Sequence, residues 1–482
     1  MRIPLRLSRF FFLPLIVTVS SLTLLSLSLI KGRASDNSSR QHQQRVSGAK
    51  RIGLRALGER PAWLDLDDGR ELPSDYNPQS SDNMILHDSN TRALSLASGD
   101  FDEDGTADLV SGYRVAGKGL LAIHRGNADA ILANPPEAKQ RKADGAFTDA
   151  AFLSPAAEFT LDSPPELVFT GDFDADDHLD VLAASIGGTT LSLLRGDGHG
   201  NLLTAEKIEL EGSLTAITVG EINRTDGLAD VAVAILSSSG PQLLKFSGSE
   251  GAFKEKPGAE RLPDQATAMS MGRLDKGCES DLVIAAGRKL LVMHRPYKQS
   301  PQESSDGSQV EVIESRAFPY QIKQVAIGDF IRDEQHNAEI ALMREDGGID
   351  LLKATRGATT ETRRQALANW EQETATGKIA SATRLVAAKV SSSPVDDLIV
   401  IAPERRQVHV VSRAPESAAK AEERKPLRSA AEQMATFEAE EAPVAVIAMK
   451  LNASALKGLV MLRERKTAPV IVPQSAGMTF TV

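Results

Sequence analysis

The apolar residues of this chain fall in short runs that predict β-strands. Runs such as Leu167-Val-Phe-Thr and Asp180-Val-Leu-Ala are bounded by Gly, Asp, Asn and Ser, which is typical of strands rather than helices. A strand precedes each acidic turn, a second strand follows the turn, and a third comes after a short connection. A less regular segment then supplies a fourth, outer strand. The pattern therefore predicts a four-stranded antiparallel unit.

The four-stranded unit recurs to the end of the chain. Successive copies lie about 50 to 70 residues apart, a period typical of propellers and solenoids. The turns between first and second strands begin at Asp100, Asp172, Glu221, Arg273, Asp329, Lys389 and Lys450. A four-stranded antiparallel sheet repeated seven times is a seven-bladed β-propeller. The sequence thus predicts an all-β fold, a seven-bladed β-propeller of four-stranded antiparallel blades over residues 86–482.

The turns of the first two units are acidic in a regular way. Asp100-Phe-Asp-Glu-Asp-Gly-Thr-Ala-Asp places carboxylates at loop positions 1, 3, 5 and 9 and glycine at position 6. The loop that starts at Asp172 repeats the four carboxylates. Carboxylates that alternate along a tight turn can all point at one hard cation, and oxygen-rich flexible sites of this kind suit Ca²⁺. The loops therefore predict both a metal site and a repeat.

The same turns carry a family resemblance. The pattern Gly-Asp-Phe-Asp-x-Asp-Gly-x-x-Asp-Leu-Val, from Gly99 to Val110 and in a close variant from Gly171 to Leu182, resembles the FG-GAP/VCBS repeat of integrin-α-type propellers. Many exported bacterial proteins carry this repeat, and the resemblance covers roughly residues 85–482. It implies one Ca²⁺ in each intact loop, on the face where the first two strands of a blade connect. It also implies a binding or scaffolding role.

Carried over residue by residue, the resemblance implies two complete ligand sets. In each set four carboxylates are joined by one backbone carbonyl, that of Thr106 or of His178. The carboxylates are those of Asp100, Asp102, Asp104 and Asp108 in the first loop and of Asp172, Asp174, Asp176 and Asp180 in the second. Asp177 stands where the first loop has glycine, so it is a candidate for the left-handed backbone region. We expect two Ca²⁺ ions.

The remaining loops depart from the pattern. A weaker third site around Glu221, Asn223 and Asp230 stays open, because that loop has an extra residue and fewer charges. Arg273, Ile331, Lys389 and Lys450 each replace an acidic ligand position of the later loops. A solvated acidic turn without metal is the alternative, and it is favoured for the last four loops. An EF-hand is excluded, because its position 12 needs a glutamate and its loop is flanked by helices.

The N-terminus predicts export. Arg2, Arg6 and Arg9 precede an uncharged apolar run, and small residues at Gly32 and Ala34 fit a cleavage site. Residues 1–34 are therefore read as a signal peptide, with an uncleaved membrane anchor as the alternative. Residues 35–85 are polar and rich in turn formers, which predicts a disordered spacer. The expected location is secreted or in the bacterial cell envelope, at the cell surface.

Composition narrows the function classes. A net charge of −10 without a basic stripe excludes a nucleic-acid binder, and the single cysteine, Cys278, excludes an intramolecular disulfide. We expect a non-catalytic, Ca²⁺-binding adhesion or scaffold module whose partner is an unidentified protein or glycan, with membrane contact only through an uncleaved anchor. The alternatives are a polysaccharide-acting enzyme on a propeller scaffold, or a spacer domain of a larger secreted protein. With 4 Tyr and 2 Trp, the chain is poor in the aromatic platforms that sugar sites favour.

One tripeptide matches a known recognition sequence, but its position in the repeat predicts a turn. Arg195-Gly196-Asp197 spells an integrin-recognition sequence. Its place after a third strand, where this repeat has a glycine-rich turn, predicts a turn between the third and fourth strands instead.

Overall fold

The computed structural model describes residues 52–72, 90–132, 135–222, 227–274, 280–294, 312–332, 337–354, 370–413 and 432–475. All of them belong to one compact unit, Lys50–Val482. The predicted signal peptide, residues 35–51 and 73–85 of the predicted spacer, Asn223 and Cys278 lie outside the described residues. Within the described part of the chain, no helix is long and apolar enough to span a membrane.

The first two strands of the unit are β1 (Ile52–Leu57) and β2 (Gly69–Glu71). Five four-stranded antiparallel sheets follow. The first contains β3 (Arg92–Gly99), β4 (Asp108–Val115), β5 (Lys118–His124) and β6 (Ala157–Leu161). The second contains β7 (Leu167–Gly171), β8 (Asp180–Ala184), β9 (Thr190–Leu194) and β10 (Glu206–Glu209). The third contains β11 (Gly212–Gly220), β12 (Asp230–Ser237), β13 (Gly240–Phe246) and β14 (Gly258–Arg261).

The fourth sheet contains β15 (Ala266–Gly272), β16 (Asp281–Ala286), β17 (Lys289–His294) and β18 (Val312–Ala317). The fifth contains β19 (Ile322–Gly328), β20 (Glu339–Arg344), β21 (Ile349–Lys353) and β22 (Glu371–Thr376). The last strands are β23 (Arg384–Ala388), β24 (Asp397–Ala402), β25 (Gln407–Arg413), β26 (Glu432–Ala439), β27 (Pro443–Met449), β28 (Gly458–Arg463) and β29 (Val470–Val472). Short helices α1 (Ala128–Ile131) and α2 (Pro136–Ala143) lie between β5 and β6.

The last strands and the first two form one nine-stranded sheet. Its order is β23-β24-β25-β26-β1-β2-β29-β28-β27. It therefore contains one four-stranded run, β23 to β26, and a second run in which β2 supplies the outer strand beside β29. Strand β1 joins the two runs, because it pairs with β26 on one side and with β2 on the other.

The apolar cores lie between consecutive four-stranded runs. One cluster packs Phe101 and Val110 of the first sheet against Val181 of the second. Another packs Tyr113 of the first sheet against Val460 of the final run. The first strands also pack side by side, β3 on β7, β11 on β15, β15 on β19 and β19 on β23, and β27 returns to β3. Sheets that pack face to face in chain order and close on the first form a β-propeller.

The prediction of a disordered spacer over 35–85 is wrong for residues 52–72. Leu54 faces Ala439 across the β1–β26 pair, and Arg70 faces Ile471 across the β2–β29 pair. Leu54 and Leu66 are each 1% exposed. The segment is polar on average because only a few of its side chains enter the core. The segment is ordered because it pairs with the edges of two strands distant in sequence, β26 and β29.

Candidate metal centre

The first acidic loop joins β3 to β4 and gathers three carboxylates. One oxygen each of Asp100, Asp102 and Asp108 lies within 4.8 Å of the others. Phe101, between the first two, is 1% exposed and packs into the core, which leaves its two neighbours free to converge away from the core. Local residue order thus creates a triad of loop positions 1, 3 and 9.

The loop backbone is held in shape by its own carboxylates. The Asp104 and Gly105 N–H groups donate to the two oxygens of Asp100, at 3.1 and 2.9 Å. The Thr106 N–H donates to the Asp104 carboxylate at 2.8 Å. Gly105 adopts a φ of +84°, a left-handed conformation that costs glycine little. The turn is therefore formed by the same residues that face the triad.

The second acidic loop joins β7 to β8 and repeats this geometry. Oxygens of Asp172, Asp174 and Asp180 lie within 4.8 Å of one another. Asp172 accepts the Ala175 N–H at 2.7 Å and the Asp177 N–H at 3.1 Å. Asp177 has a φ of +68°, which confirms its prediction as a left-handed residue in place of glycine. Two loops of different sequence thus converge on the same arrangement.

Two predicted carboxylate ligands lie outside the triads. Asp104 and Asp176 at loop position 5 are exposed, and the Asp176 carboxylate accepts the His178 N–H at 3.0 Å. Burial, together with the charges of Asp102 and Asp100, raises the pKa of Asp104 even so, although the Thr106 N–H opposes the rise. The position 5 carboxylates border the triads and support the turn.

Each triad contains a buried anionic oxygen without a partner. The Oδ1 atoms of Asp102 and Asp174 have no hydrogen-bond partner among the described residues, and the two side chains are 4% and 13% exposed. A buried, unsatisfied carboxylate oxygen costs free energy unless a cation or donor satisfies it. These two atoms fit a cation ligand, and oxygen-only donors suit Ca²⁺.

Two arginines that the sequence reasoning missed stand beside the triads. Arg125 forms an ion pair with Asp102, and Arg195 places its Nε 2.8 Å from the other oxygen of Asp174. Each arginine directly follows the third strand of its sheet, and this shared position was the available signal. One guanidinium beside three carboxylates leaves each triad with a net negative charge, which favours a bound cation.

The position 9 acids are the most buried members of the triads. Burial raises the pKa of Asp108 to about 6 and that of Asp180 to about 7, because a carboxylate loses hydration when it leaves water. Backbone N–H groups oppose the rise. Gly126 and Phe101 donate to Asp108 at 2.7 and 2.9 Å. A cation beside the two carboxylates would favour their ionised forms.

The position 9 acid also has a structural role that the sequence reasoning did not assign. An acid also begins the second strand after each of the next four loops, and its carboxylate accepts the N–H of loop position 2 even where the other acids are lost. The further pairs are Ile222 to Asp230 at 2.6 Å, Leu274 to Asp281 at 3.0 Å, Phe330 to Glu339 at 2.8 Å and Val390 to Asp397 at 2.9 Å. The recurrence of this acid at a strand start was the missed signal.

Each triad loop touches the next sheet. The Gly200 N–H donates to the Phe101 carbonyl at 2.8 Å, and the Ala252 N–H donates to the Phe173 carbonyl at 2.9 Å. The turns that follow β9 and β13 therefore cover the first and second loops. Glu103 of the first loop also contacts His178 of the second, with 2.6 Å between Oε1 and Nδ1. The triads thus lie at the junctions between consecutive sheets.

The third loop does not assemble a triad within the described residues. Glu221 has a buried Oε2 without a hydrogen-bond partner in the described part of the chain. Asp230 is 4% exposed and accepts the Ile222 N–H, while Asn223 is not described. In the fifth loop, Ile331 packs against the apolar core at position 3, so this position offers no ligand, as predicted.

The Arg195-Gly196-Asp197 tripeptide forms a turn between β9 and β10, as predicted. The Gly196 N–H donates to Asp180 at 2.9 Å. The Asp197 carboxylate accepts the N–H groups of His199 at 2.8 Å and Asn201 at 3.1 Å. All three residues therefore serve the turn and the adjacent triad.

Comparison with known proteins does not assign this chain to a family. No family model matches the sequence, and no curated protein matches it. Similar solved structures include two crystal structures of BBS1N in complex with ARL6DN. The one soaked with mercury is 13% identical with a TM-score of 0.47, and the one soaked with lead is 12% identical with a TM-score of 0.49. Each alignment covers 87% of this chain and 99% of the other. The β-propeller assignment therefore rests on strand order and sheet packing.

Proposed function

We propose that this chain is a Ca²⁺-stabilised, seven-bladed β-propeller without catalytic activity, which presents one rigid face to a protein or glycan partner. The nine-stranded sheet supports the proposed blade number. Its two runs, β23 to β26 and β27-β28-β29-β2, count as two blades, and the five separate sheets supply the others. Strand β1 is then a link between the last two blades.

One observation carries the Ca²⁺ assignment. Each of two adjacent blades has three converging carboxylates, one of which holds a buried oxygen without a partner. The ligands would be Asp100, Asp102 and Asp108 in one loop, and the residues at the same positions in the other. The resemblance to FG-GAP/VCBS repeats adds the carbonyls of Thr106 and His178. A bound Ca²⁺ would supply positive charge to both oxygens that lack a partner.

The same geometry explains how a cation would rigidify the surface. The loop from Asp100 to Asp108 is covered by the turn at Gly200, and the loop from Asp172 to Asp180 by the turn at Ala252. A cation that fixes either loop therefore also fixes its contact with the following blade. The face that results has exposed acids at Asp104 and Asp176, which favours a partner with basic groups.

The non-catalytic assignment rests on the sequence, in which we identify no nucleophile elbow, phosphate-binding loop or CxxC motif. Export to the bacterial cell surface completes the proposal and rests on the sequence alone.

Ca²⁺ titration of the full chain with thermal melting tests the metal assignment. A ligand that binds only the folded state stabilises it by about 2.7 kcal/mol at one hundred times its Kd, so Tm rises with Ca²⁺ and falls with chelator. The double variant Asp102→Asn, Asp174→Asn loses the response, whereas Asp149→Asn, at an exposed position outside both loops, keeps it. A wild-type Tm that is the same in Ca²⁺ and chelator refutes the assignment.

Glycan arrays and bacterial-surface binding, each with and without Ca²⁺, test the partner assignment. Saturable binding that the double variant weakens supports a face organised by Ca²⁺. Measurable cleavage of a polysaccharide by the purified chain overturns the non-catalytic proposal.

A further inference from the structure

The loops that join β23 to β24 and β27 to β28 begin with a cation. Lys389 and Lys450 stand at loop position 1, where the first two loops have Asp100 and Asp172. We call these two segments, 389–397 and 450–458, the lysine loops. Their donor sets do not fit Ca²⁺, because an ammonium group replaces the first carboxylate and serine or asparagine replaces the next acids.

Both lysines turn back onto their own loops. The Lys389 Nζ donates to the Val395 carbonyl at 2.6 Å. Val395 is at position 7, which corresponds to Thr106 and His178, whose carbonyls are expected ligands in the proposed Ca²⁺ loops. The Lys450 Nζ donates to the Ser454 carbonyl at position 5. The ammonium groups therefore bind loop carbonyl oxygens, as a bound cation does.

The hydrogen bonds of the first residue are reversed between the two kinds of loop. In the first loop, Asp100 at position 1 accepts N–H groups from the turn. In the lysine loops, the residue at position 1 donates to carbonyl groups of the turn. A carboxylate at position 1 leaves the turn short of positive charge, whereas an ammonium group supplies that charge from the chain itself.

The remaining polar groups of the lysine loops are satisfied without an ion. In the first lysine loop, Asp397 Oδ2 accepts the N–H groups of Val390 at 2.9 Å and Ser391 at 2.8 Å, and its Oδ1 accepts the Ser391 hydroxyl at 2.6 Å. In the second, Asn452 donates to the Gln474 carbonyl at 2.8 Å and accepts the Ser454 N–H at 3.0 Å. Neither side chain repeats the unpartnered oxygen of Asp102.

The lysine loops also lie where the unit closes on itself. The Ser392 N–H donates to the carbonyl of Trp63, in the segment between β1 and β2, at 3.0 Å. The Gln474 side chain donates to the Val390 carbonyl at 2.8 Å and also to the Lys457 carbonyl at 2.6 Å. One glutamine therefore bridges the two lysine loops, next to the N-terminal strands.

We propose that the ammonium groups of Lys389 and Lys450 take the place of the metal ion in their loops. The closing part of the unit then keeps its cation at every Ca²⁺ concentration. It follows that only the first two loops depend on Ca²⁺ for their stability, and this second point rests on the proposed function.

Removal of each ammonium group in chelator tests the first statement. Lys389→Met and Lys450→Met keep much of the side-chain stem, and Lys289→Met, at an exposed position on β17, is the matched control. A lost charge-assisted hydrogen bond of about 1.5 kcal/mol corresponds to about tenfold faster local opening. Amide exchange in the altered loop is therefore expected to accelerate about tenfold over wild type. Exchange rates equal to those of the control overturn the proposal.

A gain of Ca²⁺ binding tests the equivalence of ammonium and metal. The double variant Lys389→Asp, Ser391→Asp places carboxylates at positions 1 and 3, with Asp397 already at position 9. Calorimetric titration is expected to show about one more Ca²⁺ per chain than wild type and a larger rise in Tm with Ca²⁺. A folded double variant without an additional Ca²⁺ overturns the equivalence.

Two controls keep these outcomes distinct. If the double variant Lys389→Asp, Ser391→Asp does not fold, exchange in Lys389→Met decides the proposal, because that variant adds no negative charge. All Met variants are measured in chelator, so their result is independent of the first two loops. A wild-type Tm that does not change with Ca²⁺ therefore refutes the proposed metal assignment alone. Amide exchange that is unchanged in the Met variants refutes the role of the lysines.

Discussion

Ca²⁺ is expected to stabilise the folded chain more strongly at neutral pH than at about pH 5. The groups responsible are Asp108 and Asp180, whose pKa values burial raises to about 6 and about 7 from an ordinary value of 3.8. Between about pH 4 and pH 7 the folded, Ca²⁺-free chain therefore binds more protons than the unfolded chain. Its free energy of unfolding falls as pH rises through this window and levels off above the folded pKa values.

The magnitude follows from the two pKa values. One pKa unit corresponds to about 1.4 kcal/mol, so ionisation of Asp108 and Asp180 in the Ca²⁺-free fold costs on the order of 3 to 4 kcal/mol each. A cation at each triad favours the ionised carboxylates and offsets this cost. Protons and Ca²⁺ thus compete for the same oxygens, and the gain from Ca²⁺ increases with pH.

Urea unfolding at several pH values, with saturating Ca²⁺ and without Ca²⁺, measures the effect. The difference in unfolding free energy between the two conditions is expected to grow by several kcal/mol from about pH 5 to about pH 7.5. In Asp180→Asn the growth is smaller, because the amide does not titrate. A difference that is the same at every pH, or an Asn variant with the full wild-type growth, refutes the reasoning.

Three further predictions follow from individual contacts. Asp397→Ala leaves the N–H groups of Val390 and Ser391 without their acceptor, which lowers unfolding stability by about 3 kcal/mol. Urea unfolding in chelator measures this loss, and a change below 1 kcal/mol would contradict the structural role of position 9 acids. Arg463→Met removes a fully buried guanidinium whose NH2 lies 2.6 Å from Glu71. If β2 loses at least about 1.4 kcal/mol of local stability with the ion pair, its amide exchange accelerates at least tenfold. Unchanged exchange would show that this ion pair does not hold the strand. Arg195→Gln removes a cation beside the second triad, so Ca²⁺ affinity measured by calorimetry is expected to rise roughly tenfold, equivalent to 1.4 kcal/mol; weaker binding would assign the arginine to holding the ligands instead.

The strand pattern was predictable because its causes are local. The short apolar runs, which are buried throughout in second strands such as β8 and β16, and the turn residues between the runs are set within each four-stranded unit. The left-handed conformation of Asp177 was predictable for the same reason, since its place in the loop matches glycine in the first copy. The triads were also foreseeable in outline, because loop spacing brings positions 1, 3 and 9 together.

Features that depend on distant partners were not predictable. Strand β2 pairs with β29, about four hundred residues away. The polar sequence around β2 contains no pattern that predicts this pairing. The contacts of Arg125 with Asp102 and of Lys389 with Val395 depend on where long side chains turn. A charge at loop position 1 can be read from the sequence, but the carbonyl that it meets cannot.

The pairing of β2 with β29 sets the order of events in synthesis. Strands β1 and β2 are made several hundred residues before their partners, β26 and β29. Until Val470–Val472 emerges, β2 has no neighbour on one side, and the edge of β26 stays open unless β1 has reached it. The nascent chain can form its middle sheets one by one, but the pairing that closes the unit requires translation to have reached β29. A chain truncated before Val470 therefore lacks the partner of β2 and exposes an unpaired strand edge, which can pair with a second chain.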